Sequence, residues 1–196
     1  MGKNFIGKAE LLKFSHNLGI QPPEDEPLIP YNKDFLSSNA NDYLLLLGVD
    51  IMRDGKSVSL SSLRSFFGIN PEKSEPCFYN QDWYLEESFM QMKLKSDWYI
   101  IRKNVHENSR SVSPDFLISQ YKLPSAIQCA YAFFVSWYCL SECLWQHDFV
   151  WCNDKDHNGD RIYVGKYYDV DMINKNGFSI HRHLSLRDCY AATNVL

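Results

Sequence analysis

The chain has 196 residues, 45% hydrophobic and 15% aromatic, which is enough apolar material for one core and excludes disorder throughout. A net charge of -4 and a pI near 5.8 argue against the basic footprint of a broad nucleic-acid binder. A mean hydropathy of -0.36 is that of a soluble chain.

In chain order, Leu11, Leu12, Phe14 and Leu18 fall at helical spacing over Gly7 to Leu18, and Gly19 is a natural stop. Gln21 to Pro30 carries four prolines and the triplet Glu24-Asp25-Glu26, the composition of an extended connector. The leucine run Tyr43 to Leu47 fits a short helix capped by Asn41 or Asp42 and a buried strand equally well. Asp54-Gly55 marks a turn. Ser59 or Ser61 then caps a helix bearing Leu60, Leu63, Phe66 and Phe67 and closing at Gly68.

Asn70 to Cys77, with Pro71, Pro76 and three charges, is the best internal boundary. It leaves two organisations open: one α+β domain over 1–196, or an N-terminal helical subregion 1–70 attached to an α+β core 71–196. Beyond it come Phe78, Tyr79, Trp83, Tyr84 and Phe89, then a strand-like Trp98 to Val105. Ser113-Pro114-Asp115 opens a short helix through Gln120.

The longest apolar run is Leu123 to Trp145. Ile127, Tyr131, Phe134 and Tyr138 form one row at three- and four-residue spacings, and Phe133, Trp137, Leu140 and Leu144 a second. Together they exceed the roughly 100° stripe of a surface helix, so residues 124–145 read as a helix at the centre of the core, with Pro124 at its first position. Gln128, Ser136, Ser141 and Glu142 interrupt the run and oppose a membrane span.

After this hub, Asp148 to Asn153 and Arg161 to Tyr167 read as a hairpin turned at Asn158-Gly159, with both turn residues expected at positive φ. A second turn at Asn174 to Gly177 introduces Phe178 to His183, and Leu184 to Ala192 reads as a short final helix. The expected architecture is therefore α+β: a curved antiparallel sheet of four or five strands on one long central helix, with additional N-terminal helices. Six cysteines without an N-terminal apolar leader point to free thiols in the cytoplasm.

No Walker loop, dinucleotide fingerprint, nucleophile elbow or H-E-x-x-H motif occurs. Four partial patterns remain. Asp154, Asp156 and Asn158 with Gly159 match the first half of a calcium loop and suggest a divalent cation. Gly165 stands where that loop needs its bidentate glutamate, and a hairpin turn accounts for the same residues. His181 and His183 alternate onto one face of a strand as candidate metal ligands or an acid–base pair, with Asp169 or His157 as third member. Arg161, Lys166 and Arg187 would make an anion site if they converged. Cys139, Cys143, His147 and Cys152 have zinc-ligand chemistry, but three successive turns of one helix place Cys139 and His147 about 11 Å apart.

Glu86-Glu87 beside Trp83 has the residue types of a glycosidase pair, yet adjacent residues point apart. With no complete catalytic constellation, the first expectation is a non-catalytic binding or interaction module for a protein or small-molecule ligand. The alternative is a metal-dependent hydrolase or related enzyme built on His181, His183 and the 154–160 loop. A third, nucleic-acid binding through Arg102, Lys103, Arg110 and Arg182, would show as salt-dependent retention on DNA or RNA.

Overall fold

The computed structural model describes residues 2–167, 177–182 and 186–196. The elements run β1 (Phe5–Ile6), α1 (Lys8–Leu18), α2 (Lys33–Asn39), β2 (Tyr43–Leu47), α3 (Leu60–Phe67), β3 (Trp98–Arg102), α4 (Pro114–Leu117), α5 (Ala126–Leu140), β4 (Phe149–Lys155), β5 (Arg161–Tyr167), β6 (Gly177–Arg182) and β7 (Tyr190–Ala191). The fold is α+β, but it holds two sheets where one curved sheet was expected. One has the order β1-β2-β3 and the other β6-β5-β4-β7.

The C-terminal segment bridges the two sheets. It runs parallel to β4 at Tyr190 and Ala191, then continues along β3. There the Arg102 N–H donates to the Asn194 carbonyl at 3.0 Å and the Leu196 N–H to the Ile100 carbonyl at 3.1 Å. Backbone that would otherwise be an open edge of β3 is thus occupied, and the same segment ties the two sheets together. Of the final helix expected over 184–192, the described part, 186–192, is not helical: Tyr190–Ala191 is a strand, paired with β4.

α5 remains the central element, though shorter than 124–145. Ser125, not Pro124, sets its start: the Ser125 side chain accepts from the Gln128 N–H while Gln128 reaches back to the Ser125 N–H. Ser141 takes φ 55 and ends it, so Cys143 and His147 lie off the helix and the expected row of ligands along one face does not exist. Ten residues from Ala126 to Ser136 are buried. Phe134 stacks on Phe67 of α3 at 3.9 Å, Phe133 meets Phe178 of β6 at 5.2 Å, and the Tyr131 hydroxyl donates to the Leu47 carbonyl of β2 at 2.8 Å. The helix therefore contacts elements of both sheets. Its length falls short of a span, and no helix among the described residues is long and apolar enough to cross a membrane.

The second sheet is covered on both faces. Val150, Cys152, Ile162, Val164 and Ile180 join the main core, whereas Trp151, Tyr163 and Tyr190 form a second cluster capped by Leu117 of α4 and Leu123. The turn between β4 and β5 departs from the expected form. Only Gly159 takes positive φ, and the Gly159 N–H donates to the Asp156 carbonyl at 3.0 Å, a turn completed by one left-handed glycine.

Candidate functional site

Two adjoining clefts lie beside α3. The first, about 400 Å³, sits between the end of α1, the loop around Asp54 and the exposed side of α3. The second, about 470 Å³, continues past the start of α3 toward Lys93. They share Lys56, Ser62 and Ser65.

Local sequence explains their walls. The Ser59 cap and Gly68 stop fix α3 as two turns. Leu60, Leu63 and Phe67 are buried, which by helical spacing turns Ser62, Ser65 and Phe66 outward. Phe66 is 47% exposed. Adjacent positions on a helix differ by about 100°, and Phe67 takes the inward one. The Phe66 ring nonetheless has a fixed seat: a Cβ on Gly19 would stand 2.5 Å from it, so the ring lies directly on the Gly19 backbone. Gly19, at φ 65, is also the α1 stop.

The facing loop is held by hydrogen bonds from the Arg53 N–H to the Gly19 carbonyl and from the Met52 N–H to the Lys56 carbonyl, both 2.8 Å. Lys56 pairs with Asp54 at 2.7 Å. The Arg53 and Lys93 side chains are exposed and have no ion-pair partner among the described residues, and the Ser57 and Ser65 hydroxyls have no hydrogen-bond partner among them. Three cations therefore face one carboxylate on a protein whose net charge is -4, beside an aromatic ring on a rigid seat.

The residues singled out from sequence lie elsewhere. Asp154 Oδ2 accepts the Ala126 N–H at the start of α5 at 2.6 Å. Asp156 Oδ1 accepts the N–H groups of Asn158 and Asp160, each at 2.9 Å, and its Oδ2 accepts from Arg182 at 3.1 Å. Burial alone would raise the Asp156 pKa, but those three donors hold it below the usual carboxylate range. Asp154 is raised, chiefly by burial. The two carboxylates thus serve different partners, and Asn158 is exposed.

The group that does converge is Asp156 with His157 and Glu87, whose candidate ligand atoms all lie within 4.8 Å of one another. Glu87 is buried and Glu86 exposed. Glu87 Oε2 accepts the His157 backbone N–H at 2.9 Å, and Oε1 lies 2.5 Å from the donating Nδ1.

His181 pairs with Tyr163 across β5 and β6. Its ring stacks on Tyr163 at 5.5 Å and meets Phe149 edge-on at 5.4 Å. Gln81 Nε2 is 3.3 Å from Nδ1, Nε2 is buried without a partner among the described residues, and burial lowers the pKa to about 4. His183 and Asp169 lie outside the described residues.

The anion candidates are dispersed. Arg161 pairs with Asp115 at 3.2 Å, Lys166 pairs with Glu75 at 2.8 Å, and Arg187 is exposed near the end of the chain. Strand alternation puts Arg161 and Lys166 on opposite faces of β5. The four residues of the nucleic-acid reading each have a carboxylate partner: Arg102 with Asp42, Lys103 with Glu142, Arg110 with Asp148 and Arg182 with Asp156. All six cysteines are free thiols.

Comparison with known proteins supplies no relative: no family model, curated protein or solved structure matches the chain. Sequence reasoning missed the cleft. Its only signal was the pair Phe66-Phe67, which cannot both face inward, next to a loop carrying Arg53 and Lys56.

Proposed function

We propose that this chain is a non-catalytic binding module for a small organic anion, acting in a reducing compartment such as the cytoplasm. The observation that carries the reading is the pair of clefts around Lys56, where Arg53, unpaired among the described residues, shares one cleft with an exposed, rigidly seated aromatic ring and Lys93, likewise unpaired, lines the other. Pockets of this size with a few convergent polar groups are the usual form of a small-molecule site. Free cysteines fit the compartment.

The metal-dependent hydrolase reading has weaker support. The oxygens of Asp156 and Glu87 already accept N–H groups, and the Arg182 guanidinium beside Asp156 opposes a second cation. His181 is oriented by Gln81 within an aromatic wall of the other sheet face.

The test is ligand-observed NMR with a panel of carboxylates and phosphate esters on the purified chain. Binding that Arg53→Ala and Lys56→Ala both weaken, with the melting temperature unchanged, is the expected result. Binding indifferent to both variants, or none across the panel, overturns the proposal. Metal analysis with Asp156→Asn as control tests the hydrolase reading separately.

A further inference from the structure

Only the first chamber is walled by an aromatic ring, and that difference names a ligand class. Resting on the cleft reading above, we infer that the occupant is a nucleoside monophosphate, its base against Phe66 and its phosphate between Lys56 and Lys93.

The first chamber, whose walls include His16, Arg53, Asp54 and Lys56, offers the exposed part of the Phe66 ring, one edge of which packs on Gly19. The Phe66 ring lies perpendicular to that of Phe67, with centroids 5.0 Å apart. Arg53 stands beside it, anchored through its backbone to Gly19, with its guanidinium unpaired among the described residues. A planar base held between a phenyl face and a guanidinium gains stacking and cation–π attraction that a saturated ligand cannot.

The second chamber contains no aromatic group. Lys93 supplies a positive charge unpaired among the described residues and Lys56 one shared with Asp54, and the Ser57 and Ser65 hydroxyls are unpartnered among the described residues. A phosphate monoester, near two negative charges at neutral pH, matches that complement better than a monocarboxylate does. The chambers meet at Ser62 and Ser65, and Ser61 to Phe66 spans about 7 Å along the axis of α3. A sugar bridges such a gap between base and phosphate, and the Ser65 hydroxyl, free among the described residues, suits its polar groups.

Titration calorimetry on the full chain with AMP, GMP, CMP and UMP tests the assignment, with the four nucleosides, ribose 5-phosphate and inorganic phosphate as partial ligands. At least one monophosphate is expected to bind ten-fold or more tighter than its nucleoside and than ribose 5-phosphate. Phe66→Ala is expected to remove that advantage over ribose 5-phosphate, Phe66→Tyr to restore it, and Lys93→Ala to weaken both phosphates while sparing the nucleoside. Phe66 is half exposed, so an unchanged melting temperature verifies the fold. If no monophosphate exceeds its parts, or Phe66→Ala leaves the advantage intact, the ligand class is wrong. Should another anion still bind through Arg53 and Lys56, the binding-module reading survives that failure; if no anion does, both fall.

Discussion

Glu87 and His157 are joined twice: the buried carboxylate accepts the His157 backbone N–H at 2.9 Å and its Nδ1 at 2.5 Å. The contact ties the segment before the Ser88–Gln91 turn to the β4–β5 hairpin. The two bonds are unequal, because the His157 side chain is 65% exposed whereas that of Glu87 is 5% exposed. Glu87→Gln is expected to cost about 1–3 kcal/mol in urea denaturation, since it removes the charge from both bonds in a buried place. His157→Ala keeps the backbone bond and is expected to cost under about 1 kcal/mol. Equal losses would show that the imidazole, not the backbone, carries the contact.

His181 makes stability depend on pH. Its folded pKa of about 4 lies below the ordinary 6.5, because burial disfavours the charged ring. Between those values the unfolded chain binds a proton that the folded chain excludes. The contribution is complete above about pH 6.5 and is lost as pH falls through 4, a swing of roughly 3 kcal/mol. Denaturation midpoints from pH 7 to 4 are expected to fall less steeply in His181→Phe, which retains an aromatic ring against Tyr163. An unchanged slope would place the titration elsewhere.

Asp154 and Asp156 are expected to respond oppositely to neutralisation. Asp156, held low by the Asp160 N–H, Arg182 and the Asn158 N–H against its burial, stabilises the fold above the usual carboxylate range and stops doing so as pH falls through its lowered value. Asp156→Asn is expected to cost about 1–3 kcal/mol. Asp154 is raised by burial, so its contribution weakens as pH climbs from 3.8 through the raised value. Asp154→Asn keeps an acceptor for the Ala126 N–H and is expected to be neutral or stabilising, whereas Asp154→Ala orphans that N–H and costs about 1 kcal/mol. Thermal melts at pH 7 separate the three variants, and a destabilised Asp154→Asn would mean that the charged carboxylate favours the fold despite its burial.

Gly165 tests the hairpin directly. A Cβ there would lie 2.3 Å from the Asp148 carbonyl oxygen and 3.2 Å from Phe149 Cα. Both are backbone atoms that cannot swing aside. Gly165→Ala is expected to lose about 1–3 kcal/mol or more by overpacking, measured by urea denaturation. The same crowding explains why the calcium-loop pattern breaks off at this position: a bidentate glutamate at 165 has no room. A fully stable alanine variant would mean that β4 and β5 separate readily.

Much of the architecture was legible in short stretches of sequence. The α1 stop at Gly19, the Ser59 cap of α3, the apolar girth of α5 and the Gly159 turn each follow from local sterics, capping and periodicity, which act within a few residues. The link between the two sheets was not legible, because it depends on where the C-terminal segment finds its hydrogen bonds: on β4 at Tyr190 and on β3 at Asn194. The candidate site divides the same way. The sequence named Asp154 and Asp156 as a pair, but only packing against Ala126 and Arg182 gave them separate partners. Arg53 and Phe66, 13 residues apart in the chain, became neighbours because each is held against Gly19. Local periodicity can say which side of a helix turns outward; what that side faces is decided by contacts between segments remote in sequence.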